Sequence, residues 1–109
     1  MLDLASKKCV PCEGGVPPLE ASEAHALTAR LQEGWSVSKD AKNLHRSYRF
    51  EDFYRTMSFV NAVAHIANTE DHHPDLVIGY NYCRITYSTH SIGGLSANDF
   101  ICAAKIDRL

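Results

Sequence analysis

Residues 52–70 read DFYRTMSFVNAVAHIANTE. In this run Phe53, Met57, Val60, Ala64 and Ala67 recur at steps of four and three, tracing one stripe of a helix with 3.6 residues per turn. Phe59, Val63 and Ile66 widen the stripe into a broad apolar face, which more often packs into a core than holds a cofactor. On either side of this helix the period changes from 3.6 to 2. Upstream, residues 35–39 and 44–50 alternate like strands, with Leu44, Arg46, Tyr48 and Phe50 on one face and a polar Asp-Ala-Lys-Asn link between the runs. Downstream, residues 76–80 and 83–90 are two more strand-like runs joined by a tight connection near Asn81. The helix therefore sits between two β-hairpins.

Outward again, residues 19–32 form a shorter helix candidate with Leu27 and Leu31 four apart, and Gly34 supplies a stop. Residues 91–95 contain Gly93 and Gly94 and make a loop. Ser96 then reads as an N-cap with Asp99 three residues on, Leu95 and Phe100 staple the start, and residues 97–108 make the last helix. The order is αββαββα. Two hairpins give a four-stranded antiparallel sheet, and helices with one apolar face each cover only one side of it, so the expected fold is an α+β two-layer sandwich. In the last strand Arg84, Thr86, Ser88 and His90 would face solvent while Ile85, Tyr87 and Thr89 point the other way. A free sheet edge remains, and pairing edges across a two-fold axis would cover it.

Composition narrows the function classes. A chain of 109 residues has the length of one domain, and 45% hydrophobic with 22% charged residues is ordinary globular usage rather than that of a disordered chain. Residues 19–109 are expected to be that domain. The preceding residues 1–18, which include CVPCEGGVPP at 9–18, read as an irregular arm. Eleven Lys and Arg against thirteen Asp and Glu leave a net charge of −2, with no general field for nucleic acid or anionic lipid. No stretch of the arm resembles a secretory segment or a membrane span, so a soluble, cytoplasmic protein is expected. Four cysteines are too few for a disulfide scaffold, and Cys9 and Cys12 form a C-x-x-C that is half of a structural zinc site and follows no predicted strand.

The chemistry gathers where the long helix ends. His72 and His73 are adjacent, and Pro74 disfavours the helical conformation at His73, so the helix is expected to end there with the two imidazoles leaving the backbone in different directions. A tight second hairpin would bring His90 to the same end of the sheet. Imidazole titrates near neutrality and both gives and takes protons, and Glu70 and Asp71 just upstream would raise a histidine by opposite charge. Three readings stand together: acid/base catalysis by the cluster, zinc held by His72, His73 and His90, or capping and surface histidines without chemistry. Against zinc, adjacent histidines rarely converge on one tetrahedral ion, and no H-E-x-x-H pattern supplies a base. His25, His45 and His65 have no polar cluster beside them. Asp99 also has a plain explanation, since a carboxylate in the first helical turn satisfies end amides.

The segments EDHHPDLVIGY at 70–80 and STHSIGGLSANDF at 88–100 closely resemble the pterin-4a-carbinolamine dehydratase family. The family pattern of His-His-Pro, aromatic, His and Asp falls on His72, His73, Pro74, Tyr80, His90 and Asp99, the similarity runs from about residue 19 to the C-terminus, and the arm at 9–19 looks like that of bacterial members. One departure is Asn68, four residues before His72, where the family usually carries a charged residue or His. The resemblance implies dehydration of 4a-hydroxytetrahydrobiopterin to quinonoid dihydropterin, in recycling that serves aromatic amino acid hydroxylases, with neither metal nor bound cofactor. It implies His72 and His90 in proton transfer, His73 holding and polarising the pterin, and Pro74, Thr89, Ser91 and Asp99 binding substrate. It also implies homodimers or homotetramers joined through sheet edges. Two other roles occur in the family: dimerisation cofactor of a transcription regulator, and molybdenum-cofactor maintenance.

Overall fold

The computed structural model describes residues 3–11 and 16–109. Its elements are α1 (Ala21–Thr28), β1 (Ser36–Val37), β2 (Leu44–Arg49), α2 (Phe53–Glu70), β3 (Asp75–Ile78), β4 (Tyr82–Tyr87) and α3 (Ala97–Asp107), with short 3-10 turns at Leu4–Ser6 and His90–Ile92. This is the expected αββαββα order. The four strands form one antiparallel sheet in the order β1-β2-β4-β3, so the second hairpin docks its later strand against β2 and leaves β3 on an outer edge. No described helix is long and apolar enough to cross a membrane.

The alternation expected in β4 is present: Cys83, Ile85 and Tyr87 are buried, whereas Tyr82 and Arg84 are exposed. The inward residues meet Val60 and Val63 of α2 and Phe100 and Ile101 of α3, together with Leu44 and Trp35, in one core.

Several boundaries differ from the sequence reading, each for a local reason. α1 begins at Ala21, where the Glu23 carboxylate accepts the Glu20 amide at 3.1 Å, and it ends at Thr28 instead of reaching residue 32. The Gln32 amide leaves the helical pattern to donate to Asp107 Oδ2 at 2.9 Å. β3 stops at Ile78, short of Tyr80, because Thr56 Oγ1 on α2 takes the Tyr80 carbonyl at 2.9 Å and the Phe50 amide takes that of Asn81 at 2.9 Å. Gly79 belongs to the turn: a Cβ there would fall 2.0 Å from the Tyr82 ring. α2 ends at Glu70, ahead of the stop expected at His73, because Asp71 adopts the left-handed conformation (φ 52°) and the His72 amide turns back to Ala67 O at 3.1 Å. β4 ends at Tyr87, so His90 lies in a 3-10 turn and not at a strand end, with Thr89 and Gly94 bridged behind it.

α3 is buried nearly all round, from Asn98 to Ala104, although its sequence suggests a single apolar face. The arm supplies the second cover. Leu4 is part of the core, and Lys105 Nζ on α3 donates to Ala5 O at 2.9 Å. At the far end of α3 the Asp107 carboxylate accepts from Trp35 Nε1 (2.8 Å), Arg46 Nη1 (3.2 Å) and the Gln32 amide, joining the segment between α1 and β1, the strand β2 and α3. Asp107→Ala leaves a buried indole N–H and a guanidinium without their acceptor, and is expected to cost about 3 kcal/mol of unfolding free energy in urea with an unchanged m-value. A loss under about 0.5 kcal/mol would show that these donors find other acceptors.

Candidate active site

Asp71, His72 and His73 follow α2, Ser88 to Ser91 follow β4, and α3 begins between them. The left-handed turn at Asp71 releases the chain from α2 so that His72 points inward over the start of α3, where its ring stacks on Tyr87 at 5.8 Å between centroids and 6° between planes. Its Nε2 lies 2.6 Å from Asp99 Oδ1. Asp99 has no solvent exposure, and its other oxygen accepts from Thr89 Oγ1 at 2.9 Å and from the Ser96 amide at 3.0 Å. The expected capping box of Ser96 and Asp99 is therefore real, but the same carboxylate also grips β4's continuation and the imidazole.

With Nε2 committed to Asp99, Nδ1 is the His72 atom that can exchange a proton with a ligand. Burial, the largest single influence, disfavours the imidazolium. The hydrogen bond to Asp99 and the Asp99 charge, with the nearby Asp71 charge, outweigh it and hold His72 above its ordinary value.

A cavity of about 440 Å³ opens beside this pair, and His72, His73, Thr89, His90 and Ser91 line it. Five of the residues expected at the site therefore share one cavity. Pro74 and Asp99 are not in its lining, and Asp99 reaches it through His72. Asn68 is exposed and outside the lining, so the one departure from the family pattern does not touch the cavity. His25 on α1, His45 on β2 and His65 on α2 are elsewhere.

Seven lining residues stood outside the site expected from sequence: Cys9, Val10, Pro11, Glu70, Asp71, Ser88 and Asn98. Glu70 was read only as a charge near the histidines, and 88 positions of sequence separate Val10 from Asn98, which spacing cannot reveal. Cys9 Sγ lies 3.5 Å from Cys102 Sγ. Its hydrogen bond with Cys102 and its burial both push the Cys9 thiol up, so it is protonated and a poor nucleophile at neutral pH. Cys12 falls outside the described residues. Among the described residues no three His, Cys, Asp or Glu side chains converge as a metal site would require.

The sequence profile of the family described as Pterin 4 alpha carbinolamine dehydratase matches residues 17–109. The chain belongs to that family. A protein of Nitrosomonas eutropha, provisionally named a pterin-4-alpha-carbinolamine dehydratase, is 56% identical over 107 residues, covering 98% of this chain and 93% of the relative. One from Legionella pneumophila strain Corby with the same provisional name is 51% identical, covering 98% and 95%. Among solved structures, a transcriptional coactivator/pterin dehydratase from Brucella melitensis superposes with a TM-score of 0.78 at 31% identity, over 84% of this chain and 96% of that one. A pterin dehydratase-like protein described as a RuBisCO assembly factor of the α-carboxysome shares the fold, with a TM-score of 0.61 at 20% identity over 71% and 89%.

The His72–Asp99 pair has a pH signature. A group whose value is raised by folding adds stability that is complete below its unfolded value, about 6.5 for imidazole, and lost as pH rises through the folded value. The stability advantage of the wild type over His72→Gln is thus expected to decline from about pH 6.5 upward, and the corresponding decline to be absent in an Asp99→Asn background. Urea midpoints across that range test it; an advantage that grows with pH would contradict the pairing.

Proposed function

We propose that this protein dehydrates a 4a-hydroxytetrahydropterin, 4a-hydroxytetrahydrobiopterin in the first instance, to the quinonoid dihydropterin and water. The observation that carries the reading is the convergence of His72, His73 and His90 on one cavity, with His72 held by a fully buried carboxylate. In the reaction the bond from C4a to oxygen breaks, the N5 proton departs, and a C4a–N5 double bond forms. The leaving oxygen needs a proton and N5 needs a base. An imidazolium at His72, favoured by Asp99, offers the first from Nδ1, and His90 accepts the second. His73 holds and polarises the ring, with Thr89 and Ser91 beside it. Asp99 acts as a positioning residue: it fixes which His72 nitrogen faces the cavity and favours the charged form. No step calls on a metal. Pro74, which adjoins His73 outside the cavity lining, acts by directing the chain after the imidazole.

In the cell the reaction would return oxidised pterin to a reductase, in recycling that serves an aromatic amino acid hydroxylase in the cytoplasm. The other family role, that of a binding module for a transcription regulator, gains some support from the coactivator name of the Brucella relative. A module of that kind has no use for three imidazoles around a cavity, which favours the enzyme. We further propose a homodimer, or a tetramer built from it, through the outer edge of β3, where Val77 and Ile78 are exposed.

Stopped-flow dehydration of freshly generated 4a-hydroxytetrahydrobiopterin tests the enzyme. Turnover is expected to survive chelator treatment and to fall by about a hundredfold or more in His72→Ala and in His90→Ala, the scale of a lost acid/base group. Folded variants with wild-type rates would remove these roles, and a wild type no faster than the uncatalysed reaction would leave the binding module as the better account.

A further inference from the structure

One side of the cavity is built by residues that precede the family match at residue 17. Cys9, Val10 and Pro11 line it together with the histidines. Side chains of α2 and α3 hold them there. Glu70 Oε1 accepts the Cys9 amide at 2.8 Å. The buried Asn98 side chain accepts the Val10 amide through Oδ1 at 3.0 Å and donates through Nδ2 to the Val10 carbonyl at 2.6 Å, pairing with that residue's backbone as a neighbouring strand would. Lys105 ties Glu70 to the arm once more, 3.9 Å from its Oε2 while donating to Ala5 O. The docking is thus specified, from Leu4 in the core to Val10 at the cavity.

The arm also supplies what the rest of the lining lacks. The other lining residues are His, Asp, Glu, Ser, Thr and Asn, while Cys9, Val10 and Pro11 are its apolar members among the described residues. The side chain of Val10 has no role in the core, since the residue is 65% exposed. A flat heterocycle leaves water for a site that pairs a few polar groups with apolar surface. We infer that Val10 and Pro11 form the apolar wall against which the substrate's ring and its substituent rest, with Asn98 and Glu70 as positioning residues, so that the arm governs affinity and choice among pterins and not the proton transfers. This rests on the pterin reading above.

The test uses the full-length protein with two carbinolamines, one bearing a 6-methyl and one a 6-dihydroxypropyl substituent, and the variants Val10→Asp and Asn98→Ala. Val10→Asp lies on an exposed position and leaves the fold intact; Asn98→Ala releases the backbone clamp. Each is expected to raise KM by about tenfold, the scale of one or two lost contacts, unequally for the two substrates, with kcat within about twofold. Unchanged KM in both variants, beside a wild type that turns over, would overturn the wall alone, as would a fall in kcat without a change in KM. A wild type that turns over neither carbinolamine would overturn the pterin reading and the wall with it.

Discussion

A carboxylate with no access to water must be met by donors on all sides or it destabilises the fold that buries it. Asp99 satisfies that demand from three segments distant in sequence: the imidazole after α2, the hydroxyl of Thr89 after β4, and the amide that opens α3. Each of those segments is fixed in turn by the bond it gives. The 3-10 turn carrying His90 follows Thr89 directly, so the position of the third imidazole also depends on this carboxylate. The chemistry and the architecture thus share one constraint. The groups that must stand around a ligand are the groups that a buried charge gathers for its own stabilisation.

The opposite end of α3 repeats the device with another purpose. Asp107 gathers an indole N–H, a guanidinium and a main-chain amide, and so fastens β2 and the segment between α1 and β1 to the same helix. Between these two carboxylates the helix is enclosed by the sheet and α2 on one side and by the arm on the other. Arg46 shows the consequence for the sheet: a cation on the inward face of β2 is tolerated because Asp107 meets it and the Tyr48 ring lies 4.6 Å beneath it.

Much of this was legible in the sequence. Period and punctuation revealed the seven regular elements, because an 18-residue amphipathic helix between alternating runs has few alternative readings. They also brought His72, His73 and His90 to one end of the sheet, whereas Thr89 and Ser91 were expected at the site only from the family resemblance. The boundaries were less legible where a residue abandons its own element for a distant partner, as Gln32 does for Asp107 and Tyr80 does for Thr56. Asp99 shows the limit most clearly. Its spacing from Ser96 announced a helix cap correctly, and nothing in that local signal betrayed a second oxygen turned toward a histidine 27 positions away. The arm was illegible for the same reason: its composition reads as irregular, and what orders it is the amide of Asn98 on the far side of the chain.

The near-complete enclosure of α3 bears on how this molecule moves. Regions that open locally at low cost are those with few buried contacts, and sites that need mobility are commonly drawn from them. Here the anchor of the candidate site is the first turn of the most enclosed helix. Any fluctuation that frees Asp99 must also uncover Phe100 and Ile101, which ties it to the cooperative unfolding of the whole domain. The carboxylate half of the His72–Asp99 pair is thus held by the core, and low-cost opening is left to the exposed segments around the rim.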